Sequence, residues 1–283
     1  LGVVAAMMAA EGELDLDEPV AEFLPDEVVD RVANVSQVTL RQLFQHTAGI
    51  PDYLETDGFN DAAEADPTHR WTAAEAMVYA YDLPAEFAPG TDWSYSNSNY
   101  LLAGMVLDDI LGHSHAIEFR ARIFDPLGMD STFYEHQEAI DGPLVHGYGD
   151  EDEDGTLDDW TNRDQGYGLA DGGVVSTAVD LAVFIHAVAT DEDWLSPAAR
   201  EEMFATVESE EGEAYGLGVG LTTTASRGLT YGHGGAVTGY VSEMFYNVDR
   251  DTTLVVFANG SETDLDEAFE SLVDDLLDLA FGR

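Results

Sequence analysis

Apolar and polar positions alternate with a period of about two residues over much of the chain after residue 212. Such alternation, bounded by turn residues, is typical of strands that bury one face of a sheet. The last two of these strands should be joined at Asp249-Arg250-Asp251, which has the composition of a hairpin tip. The predicted strands are YGLGVGLTTT, GLTYGHGG, YVSEMFYNV and TTLVVFANG.

A helical period of 3.6 residues replaces this alternation near the end of the chain. From about Leu265 the apolar positions return every three or four residues, which predicts a final helix with one apolar face. That face comprises Leu265, Phe269, Leu272, Val273, Leu276 and Leu277. Residues 1–10 form another apolar run, and the Glu11-Gly12 pair after it indicates the stop of a short helix.

Capping signatures mark further helix starts in the middle of the chain. They are Thr39 with Gln42, Thr72 with Glu75, Thr177 with Asp180, and Ser196 before Pro197. The first of these helices should close near Gly49. The sequence therefore predicts one α+β domain over 1–283, with a helical and loop-rich lobe at 26–200 and an antiparallel sheet with a C-terminal helix at 212–283.

Charge sets this chain apart from ordinary globular proteins. Its 283 residues carry a formal net charge of -47, and all ten cations are arginines, since the sequence contains no lysine. Self-repulsion of this size strains a compact fold, but at about 1 M salt the Debye length falls to roughly 3 Å and screens it. We expect a protein adapted to high salt, as in halophiles. Nucleic acid is excluded as a partner because phosphate binding needs a basic patch.

Cysteine is absent, so thiolate metal sites and cysteine nucleophiles are excluded. The apolar run LGVVAAMMAA is too short to span a membrane and lacks the basic flank of a signal peptide. Whether the protein is cytoplasmic or exported is left open. Neither a cofactor nor a metal is expected.

The stretch DWSYSNSNYLLAG places polar residues directly before an apolar run that should be helical and end at Gly112. In an extended segment Tyr95 and Asn97 would project to the same side. A tyrosine can act as a general base or acid if nearby positive charge lowers its pKa, and an asparagine can orient a substrate amide. Simple helix capping is the alternative.

The stretch YGHGGAVTGY interrupts a predicted strand with glycines at Gly234 and Gly235, next to His233. Glycine within a strand often marks the close approach of a ligand, and the N–H of Ala236 could face a developing oxyanion. A bulge with a structural histidine is the alternative.

Five segments, in order, resemble those of the serine β-lactamase and DD-peptidase superfamily, in particular its class C-like branch. They are TLRQLFQHTAGIPDY, FAPGTDWSYSNSNYLLAG, IFDPLGMDSTFY, ADGGVVSTAVDLAVF and GHGGAVTGY. The resemblance implies a β-lactamase/transpeptidase-like fold. It also implies that the Ser-x-x-Lys nucleophile motif and the N-terminal strands lie upstream of Leu1, so that the chain is a truncated piece and inactive by itself.

The resemblance further implies acyl transfer through an acyl-enzyme, on a small ester or amide, with β-lactams and small peptides as candidates. Tyr95 would be catalytic. The substrate-binding residues would be Asn97, His233, Gly234, Gly235 and Ala236, with His233 standing where many relatives carry lysine. A catalytically inactive binding protein with the same fold is the alternative function.

Two other features are weaker. Asp150, Asp152 and Asp154 match part of a calcium loop, but Thr161 stands where a bidentate glutamate is expected, so a solvated turn is favoured. His46 is interpreted as a residue that stabilises its loop, and the remaining histidines show no metal spacing.

Overall fold

An antiparallel sheet of six strands in the order β10-β9-β8-β7-β6-β5 carries the second half of the chain. The computed structural model describes residues 1–150, 155–164, 169–209, 212–261 and 263–282. The strands of this sheet are β5 (Val207–Glu208), β6 (Glu213–Tyr215), β7 (Gly220–Thr224), β8 (Gly228–Val237), β9 (Tyr240–Asn247) and β10 (Thr252–Ala258).

Helices fill most of the first 200 residues and cover the sheet at the end of the chain. They are α1 (Gly2–Glu11), α2 (Asp26–Arg31), α3 (Leu40–Phe44), α4 (Asp57–Ala65), α5 (Ala73–Met77), α6 (Asn97–Leu111), α7 (Ala116–Glu118), α8 (Asp125–Leu127), α9 (Ala178–Thr190), α10 (Pro197–Met203) and α11 (Thr263–Phe281). A π-helical turn at Phe119–Phe124 joins α7 to α8. Two short antiparallel pairs lie between the helices, β1 (Phe133–Tyr134) with β4 (Val174–Val175) and β2 (Tyr148–Gly149) with β3 (Asp158–Asp159).

The predicted capping residues act as expected. Thr39 with Gln42 and Thr72 with Glu75 form reciprocal capping boxes, in which each threonine hydroxyl accepts the N–H of the third helical residue. Ser196 accepts the N–H of Ala199 in the same way. The short polar side chains therefore define these helix starts locally, which is why the sequence alone could predict them.

Several boundaries differ from expectation. Helix α3 ends at Phe44 and not near Gly49, because the backbone turns left-handed at His46 with φ 57°. The segment YGLGVGLTTT is two strands, β6 and β7, divided by a turn in which Gly218 has φ 80°. The sheet begins at Val207, before the expected boundary at 212.

The C-terminal helix α11 packs on β9 and β10 through a narrower face than expected. Val273, Leu277 and Phe281 are buried there, whereas Leu272 is 50% exposed and does not belong to the face. The side chain of Leu265 lies outside the described residues. The buried face of α11 therefore repeats every fourth residue, and the sequence prediction was wrong in adding Leu272 to it.

Helix α1 lies inside the molecule, with every residue from Gly2 to Met8 buried, and it packs against α10. Its start meets the turn between β6 and β7 at very close range. A Cβ atom placed on Gly2 would lie 1.9 Å from the carbonyl oxygen of Leu217, so only glycine allows this approach. No helix of the described residues is long and apolar enough to cross a membrane.

Candidate functional site

A cleft of about 440 Å³ brings together residues from the two stretches that the sequence singled out. One end is formed by Trp93 and Tyr95 before helix α6, and by Tyr215, His233 and Gly234 on strands β6 and β8. These residues are far apart in sequence. Only the packing of the helical segment against the sheet brings them together.

Tyr95 lines this cleft, and 39% of the residue's surface is exposed. The surrounding protein still desolvates the phenol, and together with the negative charges of Asp171 and Asp52 it raises the pKa of Tyr95 to about 12. A tyrosine acting as a general base would need nearby positive charge to lower this pKa. Burial and the two carboxylates raise it instead, so the phenol of Tyr95 is protonated at neutral pH.

Asn97 is the first residue of helix α6, and its side chain is already bound. Asp52 Oδ2 accepts hydrogen bonds from both the backbone N–H (2.9 Å) and the Nδ2 (2.7 Å) of Asn97. Ser96 precedes the helix, but its hydroxyl makes no capping bond. The helix is thus capped by a buried carboxylate from a distant loop, because a negative charge at a helix N-terminus is favourable. The local capping alternative is wrong.

His233 is held by two hydrogen bonds. Its Nδ1 lies 2.5 Å from the carbonyl oxygen of Gly234, to which it donates, and its Nε2 lies 2.7 Å from the hydroxyl of Tyr215. The tautomer with the proton on Nδ1 follows from the carbonyl partner, so Tyr215 donates to Nε2. Burial lowers the pKa of His233 below its usual value, which keeps the imidazole neutral near pH 7.

Gly234, Gly235 and Ala236 form the exposed end of strand β8. Beyond Gly232, β8 pairs only with β9 among the described residues, since the register with β7 ends at Gly220 opposite Gly232. Val237 and Tyr240 close a two-residue turn and form a hydrogen-bonded pair, so the alternation of an antiparallel ladder directs the N–H of Ala236 away from β9. That N–H points to the open edge beside His233.

His46 lies beneath the cleft, fully buried, and contacts several of its aromatic residues. Its ring is 4.1 Å from the ring of Tyr95, 5.2 Å from that of Tyr100 and 5.1 Å from that of Tyr215. Burial, with a smaller effect from His233, lowers the pKa of His46 to about 3, so the imidazole is neutral.

A second buried carboxyl lies on the helical side of the site. The hydroxyl of Tyr53 donates to Asp171 Oδ2 at 2.7 Å, and the backbone N–H of Tyr53 donates to the hydroxyl of Ser98 in helix α6. Burial raises the pKa of Asp171 to about 7, against the opposing effect of the Tyr53 hydrogen bond.

The sequence prediction named Tyr95, His233 and Gly234, which line the cleft, and Asn97 and Gly235, which lie near it in the chain, but it did not name the residues that contact them. Tyr215, Asp52 and Asp171 carried no local signal, because their partners lie between 18 and 118 positions away. His46 was noted only as a loop residue. Its left-handed backbone could not be read from the sequence.

Metal binding finds no support in the described residues, which contain no cluster of three or more ligating side chains. Of the calcium-like loop, Asp152 and Asp154 lie outside the described residues. Asp150 accepts the N–H of Gly155, as in a turn. The other histidines are paired with carboxylates, as in His115–Asp108 and His146–Asp159, both within 2.8 Å.

The comparison with protein families agrees with this geometry. The profile of the Beta-lactamase family matches residues 1–277. The chain belongs to the beta-lactamase family. An α+β fold with an antiparallel sheet and a helical lobe is therefore confirmed for this member of the family.

Three relatives illustrate what the chain is similar to. A penicillin-binding protein of Bacillus subtilis is 28% identical over 305 residues, covering 100% of this chain and 62% of that protein. A D-aminopeptidase of Cereibacter sphaeroides is 29% identical over 245 residues, covering 86% of this chain and 45% of the relative. The crystal structure of a D-stereospecific amidohydrolase from Streptomyces sp. superimposes with a TM-score of 0.82 at 28% identity, covering 92% of this chain and 78% of that one. The chain thus spans less than two thirds of the length of the two curated relatives.

Proposed function

We propose that the protein is a serine hydrolase that cleaves small amide or ester bonds through an acyl-enzyme. The nucleophilic Ser-x-x-Lys would lie on a segment that precedes Leu1 and continues helix α1. Relatives of this beta-lactamase family member that are named for amide hydrolysis support the reaction class. The described residues would supply the other half of the active site.

The direction of helix α1 is the observation that carries this proposal. Helix α1 is buried from Gly2 to Met8, so its N-terminal end lies inside the molecule. That end adjoins the turn after β6, since a Cβ atom on Gly2 would lie 1.9 Å from the carbonyl oxygen of Leu217, two residues after the Tyr215 that binds His233. Because α1 rises by about 1.5 Å per residue, one further helical turn would lengthen it by about 5 Å, and in this proposal its side chains reach the cleft beside Tyr215 and His233.

A lysine at that place would supply what the described residues lack. The carboxylates of Asp171 and Asp52 raise the pKa of Tyr95, and an ammonium group beside the phenol would lower it again. The serine would attack the carbonyl carbon while its proton passes through the lysine and Tyr95 to the leaving amine or alcohol. Water would then hydrolyse the ester intermediate, with Tyr95 accepting its proton.

The substrate would lie along the open edge of β8. The N–H of Ala236, together with that of the nucleophilic serine, would bind the oxyanion, and the absence of side chains at Gly234 and Gly235 would leave room for the substrate backbone. The amide of Asn97 would orient the substrate and the lysine through its oxygen, since Asp52 already holds its Nδ2.

A neutral His233 favours amides and esters over substrates that present a carboxylate beside the scissile bond. Burial keeps this imidazole uncharged near neutral pH, so it can hydrogen-bond a substrate but provides little attraction for an anion. We therefore place small amides and esters ahead of β-lactams.

The edge of the sheet is consistent with further strands upstream. Among the described residues β10 has no partner on its outer side, and β10 and α9 together line a groove of about 1340 Å³. Val179 and Val183 of α9 are exposed there. Unpaired edges and exposed apolar side chains invite aggregation, so cover by the N-terminal strands would stabilise the fold. The two lobes, 26–200 and 212–283, would then form one domain.

Reading the coding sequence before Leu1 and labelling the full-length protein test this function. We expect a Ser-x-x-Lys within about a dozen residues upstream, and covalent modification of its serine by a fluorophosphonate probe in molar salt, located by mass spectrometry. The variant with alanine in place of that serine is the control. A folded full-length protein that takes up no label, or a coding sequence without the motif, would instead indicate a non-catalytic binding protein.

A further inference from the structure

His46 holds the peptide on both sides of Tyr95. Its backbone carbonyl accepts the N–H of Ser94 at 3.1 Å, and its side-chain Nδ1 accepts the N–H of Ser96 at 3.1 Å. One residue thus fixes the main chain directly before and directly after the tyrosine. His46 makes both bonds from a left-handed backbone conformation, with φ 57°, which is uncommon for a residue other than glycine.

The imidazole also supports the phenol itself. The rings of His46 and Tyr95 are 4.1 Å apart with an angle of 32° between their planes. On its other sides the imidazole contacts Tyr100 and Tyr215, and the side chain has no exposed surface. A ring packed on all sides has one available position, so it gives Tyr95 a rigid support.

The protonation of His46 follows from its donors. Besides Ser96, the side-chain amide of Asn99 donates to Nδ1 at 3.2 Å, so Nδ1 carries no proton and Nε2 carries one. Two donors on one ring nitrogen make this arrangement specific for an acceptor at that position. Lysine, arginine or a protonated imidazole could not replace it.

We propose that His46 is a positioning residue for the reaction that we assign to Tyr95, fixing the phenol through the hydrogen bonds to Ser94 and Ser96 and through ring contact. This inference rests on the proposed function. His46 neither touches the substrate nor exchanges protons with it. It acts only by limiting the orientations of Tyr95.

Two substitutions separate the parts of this role. His46→Asn keeps an acceptor oxygen near the place of Nδ1 and tolerates a positive φ, but removes the ring. His46→Gly also tolerates the backbone conformation, but removes both the acceptor and the ring. In the full-length enzyme we expect kcat to fall by roughly 100-fold for His46→Gly and by less than about 10-fold for His46→Asn, with KM within about twofold of the parent.

A double-mutant cycle with Tyr95→Phe decides whether His46 acts through the tyrosine. We expect His46→Gly to lower the rate in the parent background but not in the Tyr95→Phe background. The dependence of rate on pH should have the same apparent pKa values in His46→Asn and His46→Gly as in the parent. Equal loss in His46→Asn and His46→Gly, an altered pH limb, or fully additive losses with Tyr95→Phe would overturn the proposal.

Hydrogen exchange tests the same contact without any activity, and so distinguishes a failure of this inference from a failure of the proposed function. The amide of Ser96 should be protected in the parent chain and in His46→Asn, and should exchange at least about tenfold faster in a folded His46→Gly protein. If His46→Gly does not fold, exchange of the Ser96 amide in the parent and in His46→Asn tests the proposal. An unprotected Ser96 amide in either would overturn the proposal.

Discussion

The hydroxyl of Tyr215 donates to Nε2 of His233 across 2.7 Å, which joins strand β6 to the glycine-rich end of β8. Tyr215→Phe removes this bond and leaves Nε2 without its partner. A lost buried hydrogen bond is worth about 1 kcal/mol, so we expect kcat/KM of the full-length enzyme to fall by roughly fivefold to tenfold. Nitrogen NMR of the chain should show a shifted His233 Nε2 resonance.

Tyr231→Phe is the matched control, since Tyr231 lies on the same strand as His233 but packs against Phe204 and Tyr246, away from the cleft. It should leave both measurements unchanged. An unaltered Nε2 resonance in Tyr215→Phe would show that the bond does not hold the histidine in solution.

Asp52 gathers three donors at the entrance of helix α6. Its oxygens accept the N–H of Leu54, the N–H of Asn97 and the side-chain amide of Asn97, and only 6% of its surface is exposed. Asp52→Ala leaves these donors without an acceptor, and we expect the free energy of unfolding to fall by about 3 kcal/mol or more. Denaturant unfolding in high salt measures it.

Asp57→Asn provides the comparison for that experiment, because Asp57 lies in the first turn of α4 but is exposed. Both substitutions reduce the negative charge by one unit, so a general effect of charge would appear in both. Equal stabilities for the two variants would contradict the role given to Asp52.

Asp171 should make stability depend on pH. Burial raises the pKa of Asp171 from 3.8 to about 7, so the folded state retains a proton that the unfolded state releases between about pH 4 and 7. The stabilisation associated with this proton is complete below about pH 4 and is lost as the pH rises through 7. Asp171→Asn should therefore unfold at higher temperature than the parent at pH 8.

The advantage of Asp171→Asn should be on the order of 2 kcal/mol at pH 8 and should vanish near pH 4. Asp109→Asn, on the exposed face of α6, serves as the charge-matched control. A constant difference between Asp171→Asn and the parent across this pH range would argue against a raised pKa.

The net charge of -47 predicts a strong dependence of folding on salt. Arg31, Arg41 and Arg122 each already contact at least two carboxylates, so the few cations cannot neutralise the rest. We expect the melting temperature to rise steeply between about 0.1 and 1 M NaCl, as the Debye length shrinks from roughly 10 to 3 Å. Potassium chloride should act equally, since screening is not specific to the ion.

A variant with fewer surface carboxylates separates screening from the general effect of salt on apolar burial. Five exposed acids are suitable, and the variant combines Glu64→Gln, Asp109→Asn, Asp130→Asn, Glu201→Gln and Asp275→Asn. This variant should fold at lower salt than the parent. A parent whose melting temperature is the same in dilute buffer and in 1 M salt would refute adaptation to high salt.

What the sequence could predict here were features that depend on near neighbours. Thr39 and Thr72 cap helices three residues away, and Gly112 ends α6 with a left-handed backbone, so a short window contains the whole signal. The motif residues Tyr95 and His233 were found through family resemblance, which records long-range proximity indirectly.

The features that the sequence did not predict depend on contacts between residues far apart in the chain, which only tertiary packing brings together. The sequence did not indicate that the Nδ2 of Asn97 would donate to the buried carboxylate of Asp52, 45 positions away. The pKa of Tyr95 depends on Asp171 and Asp52, which no spacing rule connects to it. Charge and burial around a site appear only once the chain is folded.

Gly2 shows how small the tolerance of such a site can be. A hydrogen atom, where other residues carry a methyl group or more, lets helix α1 touch the carbonyl of Leu217. Gly2→Ala would push the helix away by an ångström or so, and a serine and lysine carried on its continuation would move with it. Misplacement by about 1 Å can lower a rate by about 100-fold. The position of the proposed nucleophile would therefore depend on the absence of a single methyl group at Gly2.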